Sequence, residues 1–158
     1  FLRHEFGTRW FNLHPLSEFP LLKPLSHETK QCIAIENSSF GQLSPADLEG
    51  FAGLCIDLSH LEDAHISAPK EYDNMLGLAL EFPVLANHIS AIAKPASKVQ
   101  RGLPQYSSHY LASERELAYL QTLPREVVSG VVREQIQVLS TVEHYLGLTQ
   151  PITHKIAA

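Results

Sequence analysis

The stretch Leu54-Cys55-Ile56-Asp57-Leu58-Ser59-His60 most restricts what this chain can build, because an apolar run opens directly onto an acid and, three residues later, an imidazole. Residues Leu54 to Leu58 read as a buried strand. Its end delivers Asp57 and His60 to the carboxyl edge of a sheet, where parallel α/β folds assemble their chemistry. Cys32-Ile33-Ala34-Ile35-Glu36-Asn37 has the same order, and Val84-Leu85-Ala86-Asn87-His88-Ile89 nearly repeats it. Three strands that each end in a side chain able to bind a metal define a candidate site.

The rest of the chain supplies the alternation such a sheet needs. Trp10 to Pro15 reads as a short strand stopped by a proline, which has no donor to continue a ladder, and it leaves His14 at its carboxyl end. Leu16 to Thr29 reads as a long loop or broken helix. Gln31 to Glu36 is apolar on both parities, as expected where both faces of a sheet are covered. Ser44-Pro45-Ala46-Asp47 starts a short helix, with serine at the cap and proline at the first helical position. After the strand from Leu54 to Leu58 the spacing predicts a polar loop through Glu62, Asp63 and His65, then a helix from Pro69 that Pro83 closes. Val84 to Ala93 is strand-like near His88, and Lys94 to Ser108 reads as a loop. Ser113 and Glu116 have capping-box spacing before a short helix, Glu126 to Val132 reads as a strand, and Gln135 to Leu146 as an amphipathic helix. Strands alternating with helices imply an α/β fold with a parallel sheet and right-handed crossovers. Five strands suit either an open doubly wound sheet or the later part of an eight-stranded barrel.

With 158 residues the chain is expected to form a single domain over 1–158. Its 17 acidic residues outnumber 12 basic ones and no basic cluster occurs, so nucleic acid is an unlikely partner. No apolar run reaches the roughly 18 residues that would signal a membrane span, and the amino end lacks signal-peptide order, so a soluble, cytoplasmic protein with no membrane partner is expected. The chain opens at Phe1, not methionine, as a fragment or processed product would. Cys32 and Cys55 lie in apolar runs without CxxC spacing and are assigned no chemistry.

The residues that could do chemistry are His14, Glu36, Asp57, His60, His88, His109 and Glu134. The first five sit at or just after strand ends. A mixed oxygen and imidazole shell suits a divalent metal ion such as manganese, cobalt, magnesium or zinc, and carboxylates on a cation can also act as general bases. Taken singly, His14, His65 and His144 read as ordinary loop or surface residues, and Glu134 as a first-turn acid of a helix. Asp57 is harder to dismiss, because an acid ending an apolar strand needs a partner if it is buried.

In order, Ile33-Ala34-Ile35-Glu36-Asn37, Leu54-Cys55-Ile56-Asp57-Leu58-Ser59-His60 and Asn87-His88-Ile89-Ser90 resemble successive strand motifs of the xylose isomerase-like TIM barrel superfamily, over about Trp10 to Leu148. That group includes sugar and sugar-phosphate isomerases and epimerases and the type IV apurinic endonucleases. The resemblance implies strands four to eight, the C-terminal part of the barrel, with the N-terminal strands lacking. It implies Glu36, Asp57, His88 and Glu134 as ligands of one divalent cation. Glu36 and Glu134 would be catalytic, exchanging a proton next to the carbonyl of a bound ketose through an enediolate. His60 would contact substrate, and Lys94, where many epimerases have arginine, together with His109 and His14, would complete the substrate-binding set.

The endonuclease branch would use His14-Pro15, His60 as a ligand and His109 with more than one metal. Here Ser107 stands where that branch has an aspartate, and no basic groove is evident for phosphates. A third expectation is a non-catalytic barrel fragment or binding protein, since an open part-barrel exposes sheet edges and favours association as a homo-oligomer. The expected partner of the first reading is a small-molecule sugar or sugar phosphate.

Overall fold

Four short strands run side by side and parallel: β1 (Phe11–Leu13), β2 (Ile33–Glu36), β3 (Gly53–Asp57) and β4 (Val84–His88), in the order β1-β2-β3-β4. This computed structural model describes residues 5, 7–15, 25–38, 42–93, 95–96, 98–108 and 113–129. Sequential order without reversal means that the four strands contain no doubly wound switch point. No closed barrel is formed among the described residues.

Register sorts the strand residues onto two faces. Asn12 pairs with Ala34, Glu36 with Cys55, Cys55 with Ala86 and Asp57 with His88, so one face carries small and polar side chains and ends in the acids and histidine. The opposite face carries Phe11, Leu13, Ile33, Ile35, Leu54 and Ile56, which join Leu48, Leu58, Leu61, Met75 and Leu78 in the core. Burying the Ile35 and Ile56 side chains completely contributes roughly 1.5–3 kcal/mol each. The alternation of large and small residues in Ile-Ala-Ile-Glu and Leu-Cys-Ile-Asp thus separates a packing face from a working face.

Asp57 ends β3 and caps the next helix in one step. Its side chain accepts from the backbone N–H of Ser59 and His60, so α2 (Leu58–Ser67) begins without a connecting loop. This corrects the expectation of a polar loop through Glu62, Asp63 and His65. Leu58, Leu61 and Ala64 are buried at a three-residue spacing that is helical, while the acids between them mimic loop composition. α3 (Pro69–Glu81) starts at its proline and ends before Pro83, as the spacing predicts. A four-residue helix, α1 (His27–Lys30), precedes β2.

Other boundaries differ from the sequence expectation. Residues 45–48 and 114–121 are 3-10 turns, the first with Asp47 accepting from the Ser44 amide and hydroxyl. The strand expected over Val84 to Ala93 is two, β4 and β5 (Ala91–Ile92), and the expected loop from Lys94 to Ser108 contains β6 (Lys98–Gln100), β7 (Leu103–Gln105) and β8 (Ser107–Ser108). β6 pairs antiparallel with β7 around Arg101 and Gly102, both at positive φ, and β8 pairs antiparallel with β5. Of the strand expected over Glu126 to Val132, the first residues lie instead in a 3-10 turn over Arg125–Val127, and residues 130–132 lie outside the described residues. Asn87 docks that segment by its amide: Nδ2 donates to the Val127 carbonyl at 2.8 Å and Oδ1 accepts from the Ser129 amide at 2.7 Å. A side chain thus does the work of a ladder. The helix expected over Gln135 to Leu146 lies outside the described residues. Among the described residues no helix is long and apolar enough to cross a membrane.

Candidate metal centre

Glu36, Asp57 and His88 are the last residues of β2, β3 and β4, so a parallel sheet in this register brings them to one edge. One ligand atom from each lies within 4.8 Å of the other two. His88 Nδ1 is 3.0 Å from Glu36 Oε1 and 3.3 Å from Asp57 Oδ2. Donors about 2.1 Å from one ion stand about 3.0 Å apart in an octahedral shell and about 3.4 Å apart in a tetrahedral one, so these spacings suit a first-row divalent ion.

The two carboxylates are buried, and their partners differ. Glu36 Oε2 accepts from Asn12 Nδ2, while Oε1 faces His88 and, at 4.0 Å, His14 Nε2. Asp57 Oδ1 accepts from Ser59 N, Ser59 Oγ and His60 N, which leaves Oδ2. That oxygen is buried and has no hydrogen-bond partner among the described residues. It faces the imidazoles of His88 and, at 3.6 Å, His60 Nε2. Leaving a buried acceptor unsatisfied costs about 1–3 kcal/mol, and more for a charged one. A cation placed between Oδ2, Glu36 and His88 would remove that cost.

The backbone around the acids is held by side-chain amides. Asn37 Oδ1 accepts from the Asp57 amide at 2.7 Å and its Nδ2 donates to the Asp57 carbonyl at 3.2 Å, so the β2–β3 ladder continues one residue past Glu36. Asn87 does the equivalent work beside His88 through the Ile56 carbonyl. The Glu-Asn and Asn-His dipeptides were the visible sign of this pairing. A cleft of about 300 Å³ lies over the small-residue face, lined by Trp10, Asn12, Ala34, Cys55, Ala86 and His88. Burial first, then the charges of Glu36 and Asp57, push the Cys55 thiol up to about 12, so it stays protonated at neutral pH and packs as an apolar group. Both cysteines are free thiols.

Of the positions singled out in the sequence, Glu36, Asp57 and His88 converge, His60 stands beside Asp57, and His14 stands beside Glu36. Lys94, His109 and Glu134 lie outside the described residues. Asn12, Asn37 and the buried Asp63 were missed. Comparison with family models, with curated proteins and with solved structures returns no significant match.

Burial lowers the His88 pKa, but the Glu36 hydrogen bond and the charges of Asp57 and Glu36 outweigh it and raise the group above its ordinary 6.5. In the metal-free chain the protonated ring therefore stabilises the fold fully below the unfolded value of 6.5, and that contribution is lost as pH rises through the higher folded value. A metal needs the neutral ring, so affinity is expected to run the other way. Thermal unfolding of the EDTA-treated chain across this range should show wild type losing stability with rising pH relative to His88→Gln. Parallel curves would contradict the His88 assignment.

Proposed function

We propose that the chain carries a divalent-metal site for a sugar isomerase or epimerase, on part of a xylose isomerase-like barrel. The observation that carries this reading is the Asp57 oxygen left without a partner between Glu36 and His88. Two carboxylates and one imidazole fit manganese, cobalt, magnesium or zinc, and the sequential parallel strands with a small, polar working face suit the inner wall of a barrel. The bound ion would polarise a substrate carbonyl and acidify the hydroxyl beside it.

The chain's own residues divide the remaining work. Asn12 donates to Glu36 Oε2 and leaves Oε1 to face the ion, which makes that carboxylate a better fixed ligand than a mobile proton carrier. Trp10, Ala34, Cys55 and Ala86 leave room over the site for a small molecule. The proton exchange that the resemblance divides between Glu36 and Glu134 would then fall mainly to Glu134.

The endonuclease-like reading is second, and one observation favours it: His14 and His60 stand beside Glu36 and Asp57, so the acids are flanked by imidazoles on two further sides. A non-catalytic barrel-derived binder is the third reading. Elemental analysis of the folded protein, followed by incubation with ketohexoses and with abasic duplex DNA, separates them. One equivalent of metal and EDTA-sensitive conversion of a ketose is expected. DNA cleavage without sugar turnover would reverse the first two readings, bound metal with neither activity would favour the binder, and folded protein without stoichiometric metal would remove the central claim.

A further inference from the structure

Each acid at the edge of the sheet reaches the site with one oxygen already taken. Glu36 Oε2 accepts from Asn12 Nδ2, and Asn12 stands on β1 opposite Ala34, so that oxygen is drawn towards β1 while Oε1 is turned towards His88. An ionised carboxylate only accepts, so it is the amide nitrogen of Asn12 that faces it. Asp57 is held in the same way from the other side. Its Oδ1 accepts from the Ser59 amide at 2.9 Å, the Ser59 hydroxyl at 2.6 Å and the His60 amide at 3.1 Å, leaving Oδ2 to face His88 at 3.3 Å. Ser59 is completely buried, which fixes its hydroxyl against the acid.

A chelating carboxylate must set both oxygens at similar distances from one ion. Neither acid is free to do so, because Oε2 is drawn away by β1 and Oδ1 by the start of α2. The remaining donors, Glu36 Oε1, Asp57 Oδ2 and a His88 ring nitrogen, are single atoms within 4.8 Å of one another. Such a compact shell suits an ion with metal–ligand distances of about 2.0–2.2 Å. Calcium holds about six to eight oxygens at roughly 2.3–2.6 Å and gains from bidentate carboxylates. We infer that Asn12 and Ser59 are positioning residues for metal selectivity: each turns its carboxylate edge-on, so that Glu36 and Asp57 meet the ion as monodentate ligands and the site selects a small divalent cation over calcium. This deepens the metal-site reading, on which it rests, by naming the residues that decide which ion enters. Asn12 is exposed and outside the core, so its substitution alters the carboxylate without repacking the sheet.

The test is calorimetric titration of the full EDTA-treated chain with Mn2+ and with Ca2+, in wild type, Asn12→Ala and Ser59→Ala. Wild type is expected to bind Mn2+ more tightly than Ca2+. Asn12→Ala is expected to lose about 10- to 100-fold in Mn2+ affinity, as loss of an outer-shell partner does, while Ca2+ affinity holds or rises, so the ratio falls about 10-fold or more. His88 is present in every protein compared, so its own preference for manganese cancels. Ser59→Ala keeps the two amide donors to Oδ1 and should move the ratio the same way by less. A merely structural role would lower both affinities together and leave the ratio unchanged, and that result overturns the inference. If Asn12→Ala does not fold, wild type decides. Its infrared difference spectrum between the Mn2+-loaded and EDTA-treated states is expected to show the wide separation of carboxylate stretches that monodentate binding gives. The narrow separation of chelating carboxylates overturns the inference. Mn2+ binding with an unchanged ratio leaves the metal-site reading standing, whereas folded wild-type protein that binds neither ion overturns both.

Discussion

Asp57→Ala is expected to abolish stoichiometric binding of Mn2+ or Zn2+, lowering affinity by more than the roughly 10- to 100-fold that loss of an outer-shell partner causes. The reason is positional. Asp57 supplies the one buried oxygen at the site that no described residue satisfies, and it stands between His88 and His60. Stability is expected to respond differently from affinity. The variant loses the cap of α2 at a cost of about 1 kcal/mol, but it also removes a buried charge that the metal-free chain leaves poorly compensated. Asp57→Asn separates the two effects, since its Oδ1 can still accept from Ser59 and His60 while the charge is gone. Calorimetric titration with metal, beside thermal unfolding of the EDTA-treated proteins, checks both. Near-wild-type metal affinity in Asp57→Ala would leave the site without its central ligand.

The second large effect is expected at Gly53, where β3 begins. Gly53 has φ of +154°, and a Cβ built there would stand 2.4 Å from the Pro83 carbonyl oxygen. That oxygen is not free to retreat, because it accepts the Leu54 amide at 2.9 Å. Gly53→Ala must therefore displace backbone where the β3–β4 register already shifts, between Leu54 and Cys55. The conformation alone costs about 1–3 kcal/mol. With the displaced hydrogen bond, a fall in Tm on the order of 5–10 °C is expected for a chain of this size. Because the same register sets Asp57 opposite His88, metal affinity should fall as well. Gly77→Ala is the control: its Cβ would meet nothing within 4 Å in the middle of α3, and a gain of about 0.5–1 kcal/mol is expected there. Equal melting temperatures for Gly53→Ala and wild type would show that β3 and β4 do not meet as described.

The separation of strand ends from helix starts was legible in the chain wherever a local signal marked it. Pro15, Pro69 and Pro83 bound elements as expected, and Ser44 with Asp47 opens a turn. The polar stretch after Asp57 has the composition of a loop because of Glu62 and Asp63, yet it is helical. Only packing shows that Asp63 is buried, since its partners are amides more than forty residues away. The segment from Glu126 is rich in valine and favours a strand locally, yet its first residues are held by the Asn87 side chain and coil into a 3-10 turn. Propensity was overridden there by a long-range partner.

What the sequence determined by itself was the residue at the end of each strand. An apolar run closed by Glu36, by Asp57 or by His88 is a local pattern, and local patterns survive whatever the tertiary context. The tertiary structure alone decided that the three meet. Side chains alternate with period two, so a register slip of one residue would turn any of them to the helix-packed face. Nothing in one strand reports the register of its neighbour. The same long-range pairing left the Asp57 oxygen facing His88 and put Asn12 against Glu36, and in that arrangement a set of candidate ligands became a site.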